Sequence, residues 1–163
     1  MEIKKMRPEY WRQVSKIYDE GTDKGNANFE ATLPSWDEWI LKQVHDCSIV
    51  AIKDDVIVVG WASLSVYSER EVYIGVAEDS VYVKKEYRGK GVGDILLEKV
   101  IALSEENGIW TLQARIFPEN RESIALHQKH AFRTVGTHER LGKMDGQWRD
   151  VTLMERRSKK LGI

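Results

Sequence analysis

A chain of 163 residues suits a single domain and can bury roughly 70% of the surface its unfolded form exposes. Its 42% hydrophobic and 31% charged residues are ordinary for a globular protein, and a formal net charge of −1 argues against a general nucleic-acid or membrane-surface binder. The lone Cys47 excludes an intrachain disulfide and a cysteine-rich metal site, and no segment approaches the ~18 consecutive apolar residues of a membrane span. The N-terminal MEIKKMRPEYW carries no apolar leader, so a cytoplasmic chain is expected.

In chain order, Ile3–Met6 reads as a short strand. Pro8 opens a helix with Trp11, Val14, Ile17 and Tyr18 at helical spacing. After the loop GTDKGNANFEATLPS, Ser35 caps a second helix, WDEWILKQVH. SIVAIK and VIVVGWASLSVY, joined at Asp54-Asp55, predict a hairpin. EDSVYV is a further strand. Val92–Asn107 forms an amphipathic helix with Val92, Ile95, Leu96, Val100 and Leu103 on one side. WTLQARI is a strand, RESIALHQKH a helix, and FRTVGTHERL with QWRDVTLME a final pair around MDG. The order β-α-α-β-β-β-α-β-α-β-β is an α/β arrangement around a mixed sheet. Residues 1–163 form one domain, and RRSKKLGI, from about 156 to 163, is a basic tail free to fray.

The informative stretch is SVYVKKEYRGKGVGDILL, in which a strand runs into a basic, glycine-rich turn and directly into a helix. A helix N-terminus leaves unpaired N–H groups at the positive end of its dipole. Glycines let a ligand's oxygens approach, and Lys84, Lys85, Arg88 and Lys90 add positive charge. The arrangement suits a phosphate or pyrophosphate, or else it is a β–α turn that binds nothing. The dinucleotide pattern G-x-G-x-x-G fails, because its third glycine would fall at Asp94. Walker A fails because no Gly-Lys precedes Ser or Thr. R-x-x-G-x-G, Arg88 to Gly93, fits.

With that pattern, VYVKKEYRGKGVGDILLEKVI resembles the acyl-CoA-binding motif of the GNAT superfamily of N-acetyltransferases. The likeness extends to IKKMRPEY, the NFE loop, GWASL, EDSVYV, ENRESIALHQKHAF and GQWRDVTLME. Within the superfamily it resembles the phosphinothricin and methionine sulfoximine/sulfone N-acetyltransferases. The resemblance implies a mixed, mostly antiparallel sheet flanked by helices, acetyl-CoA as acyl donor, no metal, a small amino-acid-like amine as acceptor, and a homodimer. Val81, Tyr82 and Val83 would lie along the pantetheine arm, while Arg88, Gly89, Lys90, Gly91, Val92 and Gly93 would wrap the pyrophosphate. Asn120, which spacing also makes a helix cap, and Lys129 would approach the cofactor.

Glu78 is the candidate base: an amine arrives mostly protonated, and the family's E-x-x-V-Y-V glutamate is proposed to take that proton. Strand alternation puts Glu78, Ser80 and Tyr82 on one face and Asp79 on the other. The resemblance places acceptor contacts at Arg70, Glu71, Val72, Ala77, Asp79 and Phe29; Arg70 would suit an acceptor's carboxylate or phosphinate. His127 and His130 share a helix face, with His138 further on, but no H-E-x-x-H pattern or cysteine partner accompanies them, and a metal is not expected. Cys47, beside SIVAI, reads as a buried hydrophobe rather than a nucleophile. Relatives commonly carry Gly-Phe or Gly-Tyr where Ala131-Phe132 stands here, and Phe132 has no hydroxyl to protonate a leaving thiolate. Direct attack in a ternary complex is the expected mechanism. The alternatives are a non-catalytic acyl-CoA-binding module and an enzyme acting on a polyamine or peptide amine.

Overall fold

The computed structural model describes residues 1–22 and 33–163. Phe29 therefore lies outside the described residues. The elements are β1 (Glu2–Lys5), α1 (Trp11–Thr22), α2 (Trp36–Ile40), β2 (Gln43–Lys53), β3 (Ile57–Val66), β4 (Val76–Val83), α3 (Val92–Glu106), β5 (Thr111–Ile116), α4 (Arg121–Lys129), β6 (Arg133–Met144) and β7 (Gln147–Arg157). The strands form one sheet in the order β1-β2-β3-β4-β5-β7-β6. Its pairs are antiparallel except β4 and β5, which run parallel. The expected α/β fold, with its mixed and mostly antiparallel sheet, is the one observed.

Alternation along the strands divides the core into two layers. Ala51, Val59, Leu64, Ala77, Leu112 and Ala114 meet Val92, Leu96, Leu97, Val100 and Ile101 of α3. On the opposite face Val50, Ile52, Val58 and Trp61 meet Val14, Ile17 and Tyr18 of α1 and Trp39 of α2. Trp11, Trp36, Trp39 and Trp61 form a chain of ring contacts there, whereas Trp148 is 58% exposed. At Gly60 the side chains of α3 press closely on the sheet. A Cβ at that position would lie 2.9 Å from Leu96 Cδ1 and 3.0 Å from Val92 Cγ1.

Two expected elements are corrected. The second helix stops at Ile40, because Gln43 is already paired with Ser65 of β3, and an irregularity around Asp46 (φ 61°) carries β2 on to Ser48. In α3, Ile95 is 42% exposed, while Leu97 and Ile101 are buried, so the apolar stripe lies slightly around the helix from the expected one. The tail is tied down at its start, while Ile163 is exposed. Ser158 is buried, and Arg157 donates to the carbonyls of Trp110, Leu161 and Gly162. Among the described residues, no helix is long and apolar enough to cross a membrane.

Candidate active site

The site begins where the parallel pair fails. β4 and β5 are in register at Val76↔Thr111, Ala77↔Leu112 and Glu78↔Gln113. Beyond that point β4 stays with β3 through Val83, and β5 stays with β7 through Ile116. The strands part into a cleft, which opens into a cavity of about 950 Å³. That volume is on the scale of small-molecule and cofactor sites. Glu78–Val83, Arg88, Gly89, Gly91–Asp94, Ala114–Ile116 and the first residues of α4 line it.

At one end lies the glycine turn. Gly89 (φ 72°) and Gly91 (φ 85°) take left-handed conformations that cost other residues roughly 1 kcal/mol or more. Gly91 is the N-cap of α3 and offers no side chain to the first-turn N–H groups, and Gly91–Asp94 line the cavity. Arg88 folds back, its Nε donating to the Val83 carbonyl at 3.1 Å, which fixes the turn against the end of β4. The donor set of first-turn amides beside a guanidinium fits a pyrophosphate. Lys90 does not line the cavity; its Nζ stands 5.5 Å above the Tyr87 ring. Lys129 lines it but is held by Asp94 at 2.6 Å, and His130 reaches the same carboxylate at 2.5 Å. These two bonds hold the Asp94 carboxyl below its ordinary pKa. Asn120 is the cap of α4, its Oδ1 accepting from Ser123 N at 3.3 Å, and it also lines the cavity.

At the cleft the adjacent carboxylates of β4 point to opposite faces. Glu78 emerges on the α1 side, where Arg115 of β5 donates to its Oε2 at 2.7 Å. Both side chains keep contact with solvent, at 28% and 45% exposure. Tyr82 shares that face, stacked on Trp61 with ring centroids 4.9 Å apart. Asp79 turns toward α4 and is buried, its Oδ1 2.9 Å from Nε2 of the equally buried His127. Nδ1 of His127 is 2.7 Å from the Ser123 carbonyl, so Nδ1 carries a hydrogen and one further proton is shared between Nε2 and Oδ1. Oδ2 of Asp79 is buried without a hydrogen-bond partner among the described residues. Burial opposes a charge on His127, but the charge and hydrogen bond of Asp79, with the Ser123 carbonyl, outweigh it and raise the imidazole pKa above 6.5.

Other expected residues fall elsewhere. Ala77 is fully buried in the core beneath Glu78. Arg70, Glu71 and Val72 belong to the short helical turn after β3, outside the cavity lining, with Arg70 over the Tyr73 ring at 5.8 Å. His127 and His130 bond to different carboxylates, Asp79 and Asp94. Burial, reinforced by Asp46 and Glu106, pushes the Cys47 thiol up to about 11, which leaves it no nucleophilic thiolate near neutrality. Phe132 is buried with its ring edge-on to His127, and Ala131 sits at φ 67°, where glycine is more at home. Sequence reasoning missed Arg115. The available signal was a charged residue alternating with Leu112, Ala114 and Ile116 in an interior strand.

The model of the acetyltransferase (GNAT) family matches residues 6–132. The chain is 33% identical over 150 residues to a phosphinothricin N-acetyltransferase of Alcaligenes faecalis, covering 88% of this chain and 75% of that protein. It is 36% identical over 98 residues to an L-methionine sulfoximine/L-methionine sulfone acetyltransferase of Pseudomonas aeruginosa, covering 60% of this chain and 57% of the relative. In that relative, and in one from Bacillus subtilis, the match spans less than two thirds of the relative's length. Among solved structures, a GNAT superfamily phosphinothricin acetyltransferase from Sinorhizobium meliloti in complex with AcCoA is similar at a TM-score of 0.87 and 29% identity. That likeness covers 98% of this chain and 89% of the other.

Proposed function

The chain belongs to the acetyltransferase (GNAT) family, and from that premise we propose that it transfers the acetyl group of acetyl-CoA to the amine of a small amino-acid-like acceptor. Phosphinothricin, methionine sulfoximine and methionine sulfone, for which its relatives are named, are the acceptors to try. The observation that carries this reading is the cleft between β4 and β5, continuous with an amide-lined glycine turn at one end and flanked by a carboxylate at the other.

Bound acetyl-CoA would supply the thioester carbonyl that the amine attacks. The first-turn amides of α3 and Arg88 hold the pyrophosphate. Backbone groups of Val81–Val83 pair with the pantetheine amides as an added strand would. Glu78, on the solvent-reaching face of the cleft, takes the ammonium proton directly or through one water, so that a neutral amine reaches the carbonyl. Both reactants are held in one complex, and no covalent enzyme intermediate is needed.

The test is release of free thiol from acetyl-CoA with these three acceptors, the common amino acids, polyamines and a lysine peptide. Saturable turnover on the named acceptors supports the reading. Turnover confined to a polyamine or peptide overturns the acceptor, and acetyl-CoA binding without any turnover overturns the enzyme in favour of a binding module.

A further inference from the structure

We infer that Arg115 is the specificity-determining residue for the acceptor: it binds the acceptor's own carboxylate and, in doing so, surrenders Glu78 to the amine. The inference deepens the proposed transfer reaction and rests on it.

Three observations support it. Arg115 sits two residues beyond Gln113, the last β5 position paired with β4, on the face that carries Glu78, and it lines the cavity where those two strands have parted. A side chain in the middle of an interior strand is normally committed to the core, as Leu112, Ala114 and Ile116 are. Arg115 instead keeps 45% exposure and reaches toward Glu78. The ion pair itself, at 2.7 Å, places a carboxylate and a guanidinium side by side at the acceptor end of the cleft. An α-amino acid carries the complementary pair, an ammonium and a carboxylate on one carbon. It can exchange the internal ion pair for two external ones, carboxylate to guanidinium and ammonium to Glu78.

The exchange has a kinetic consequence. In the Glu78–Arg115 pair Oε2 already accepts from the guanidinium and is not open to an incoming ammonium. An acceptor that brings its own carboxylate replaces Glu78 at the guanidinium and opens its Oε2 to the ammonium. A plain amine has nothing to offer Arg115 and must compete with it for Glu78. The site therefore selects α-amino acids over amines of the same side chain, and the selection is made through the base.

The experiment compares L-methionine sulfone with its decarboxylated analogue, 3-(methylsulfonyl)propylamine, in wild type, Arg115→Lys and Arg115→Val. The ratio of kcat/KM for the amino acid to that for the amine should fall on the order of 100-fold in Arg115→Val, the scale of a lost charged hydrogen-bond pair. Arg115→Lys should fall between, because it keeps the charge and loses the fork. An unchanged ratio, whether both rates fall or neither does, overturns the inference while leaving acetyl transfer intact. If no acceptor turns over, calorimetric titration of the sulfone into the protein–coenzyme A complex decides. Binding lost in Arg115→Val sustains the carboxylate contact without the enzyme reading, and binding that is absent or indifferent to Arg115 overturns it.

Discussion

Glu78 and Asp79 are neighbours in sequence and opposites in circumstance. The pleat of β4 turns one into a solvent-reaching cleft beside Arg115 and the other into a closed space against His127. The comparison teaches that chemistry and stability are assigned by face. The carboxylate proposed as the base reaches solvent beside an equally reachable partner, while the other is buried and paired with a side chain of α4.

The sharpest way to break that comparison is to neutralise each carboxylate in turn. Glu78→Gln should lower kcat by about 100-fold or more, the usual worth of a positioned base, while the Kd for acetyl-CoA stays within about threefold. Its unfolding free energy should move by less than about 1 kcal/mol, because a partly exposed ion pair contributes little. Activity equal to wild type would remove Glu78 from the chemistry.

Asp79→Ala should show the reverse emphasis. Deleting one partner of a buried ionic pair strands the other, a loss of about 3 kcal/mol even with His127 free to shed its proton. The denaturant midpoint should drop with an unchanged m-value. Asp79→Asn keeps the volume and a hydrogen-bonding group, and should cost only about 1 kcal/mol. A fully stable Asp79→Ala would mean that the pair holds nothing together.

How much of this was readable beforehand follows the distance along the chain over which each feature is written. The turn from β4 into α3 is local: strand pattern, glycines, basic residues and apolar helix follow one another within about twenty residues, and the structure joins them in that order. The separation of Glu78 from Asp79 onto two faces was likewise legible, since period two is a backbone property. What faces each carboxylate was not. Arg115 and His127 are 37 and 48 residues away, brought in by a strand pairing and a helix packing that no local pattern encodes. The same limit explains the second helix. WDEWILKQVH has the propensity to run on, but Gln43 gains a strand partner in Ser65, and tertiary pairing overrides propensity there. The resemblance makes Arg70 a substrate contact; Arg70 does not line the cavity and Arg115 does, a placement that depends on strand pairing rather than on local pattern.

The smallest effect reports how tightly the Asp79–His127 pair holds its shared proton. His127 is raised above 6.5, so the folded state holds its proton more tightly than the unfolded chain does. The contribution to stability is then fully present below that value and is lost as pH rises through the folded pKa. Asp79→Asn removes the charge that raised it and leaves burial unopposed, which pushes His127 below 6.5 and reverses the sign. Stability in that variant should rise with pH instead. Other groups titrate in both proteins, so the informative quantity is the difference between wild type and Asp79→Asn in urea midpoint, measured from about pH 6 to about pH 9. The variant should gain on wild type as the pH rises across that range. A flat difference would mean that the pair gains no proton affinity on folding.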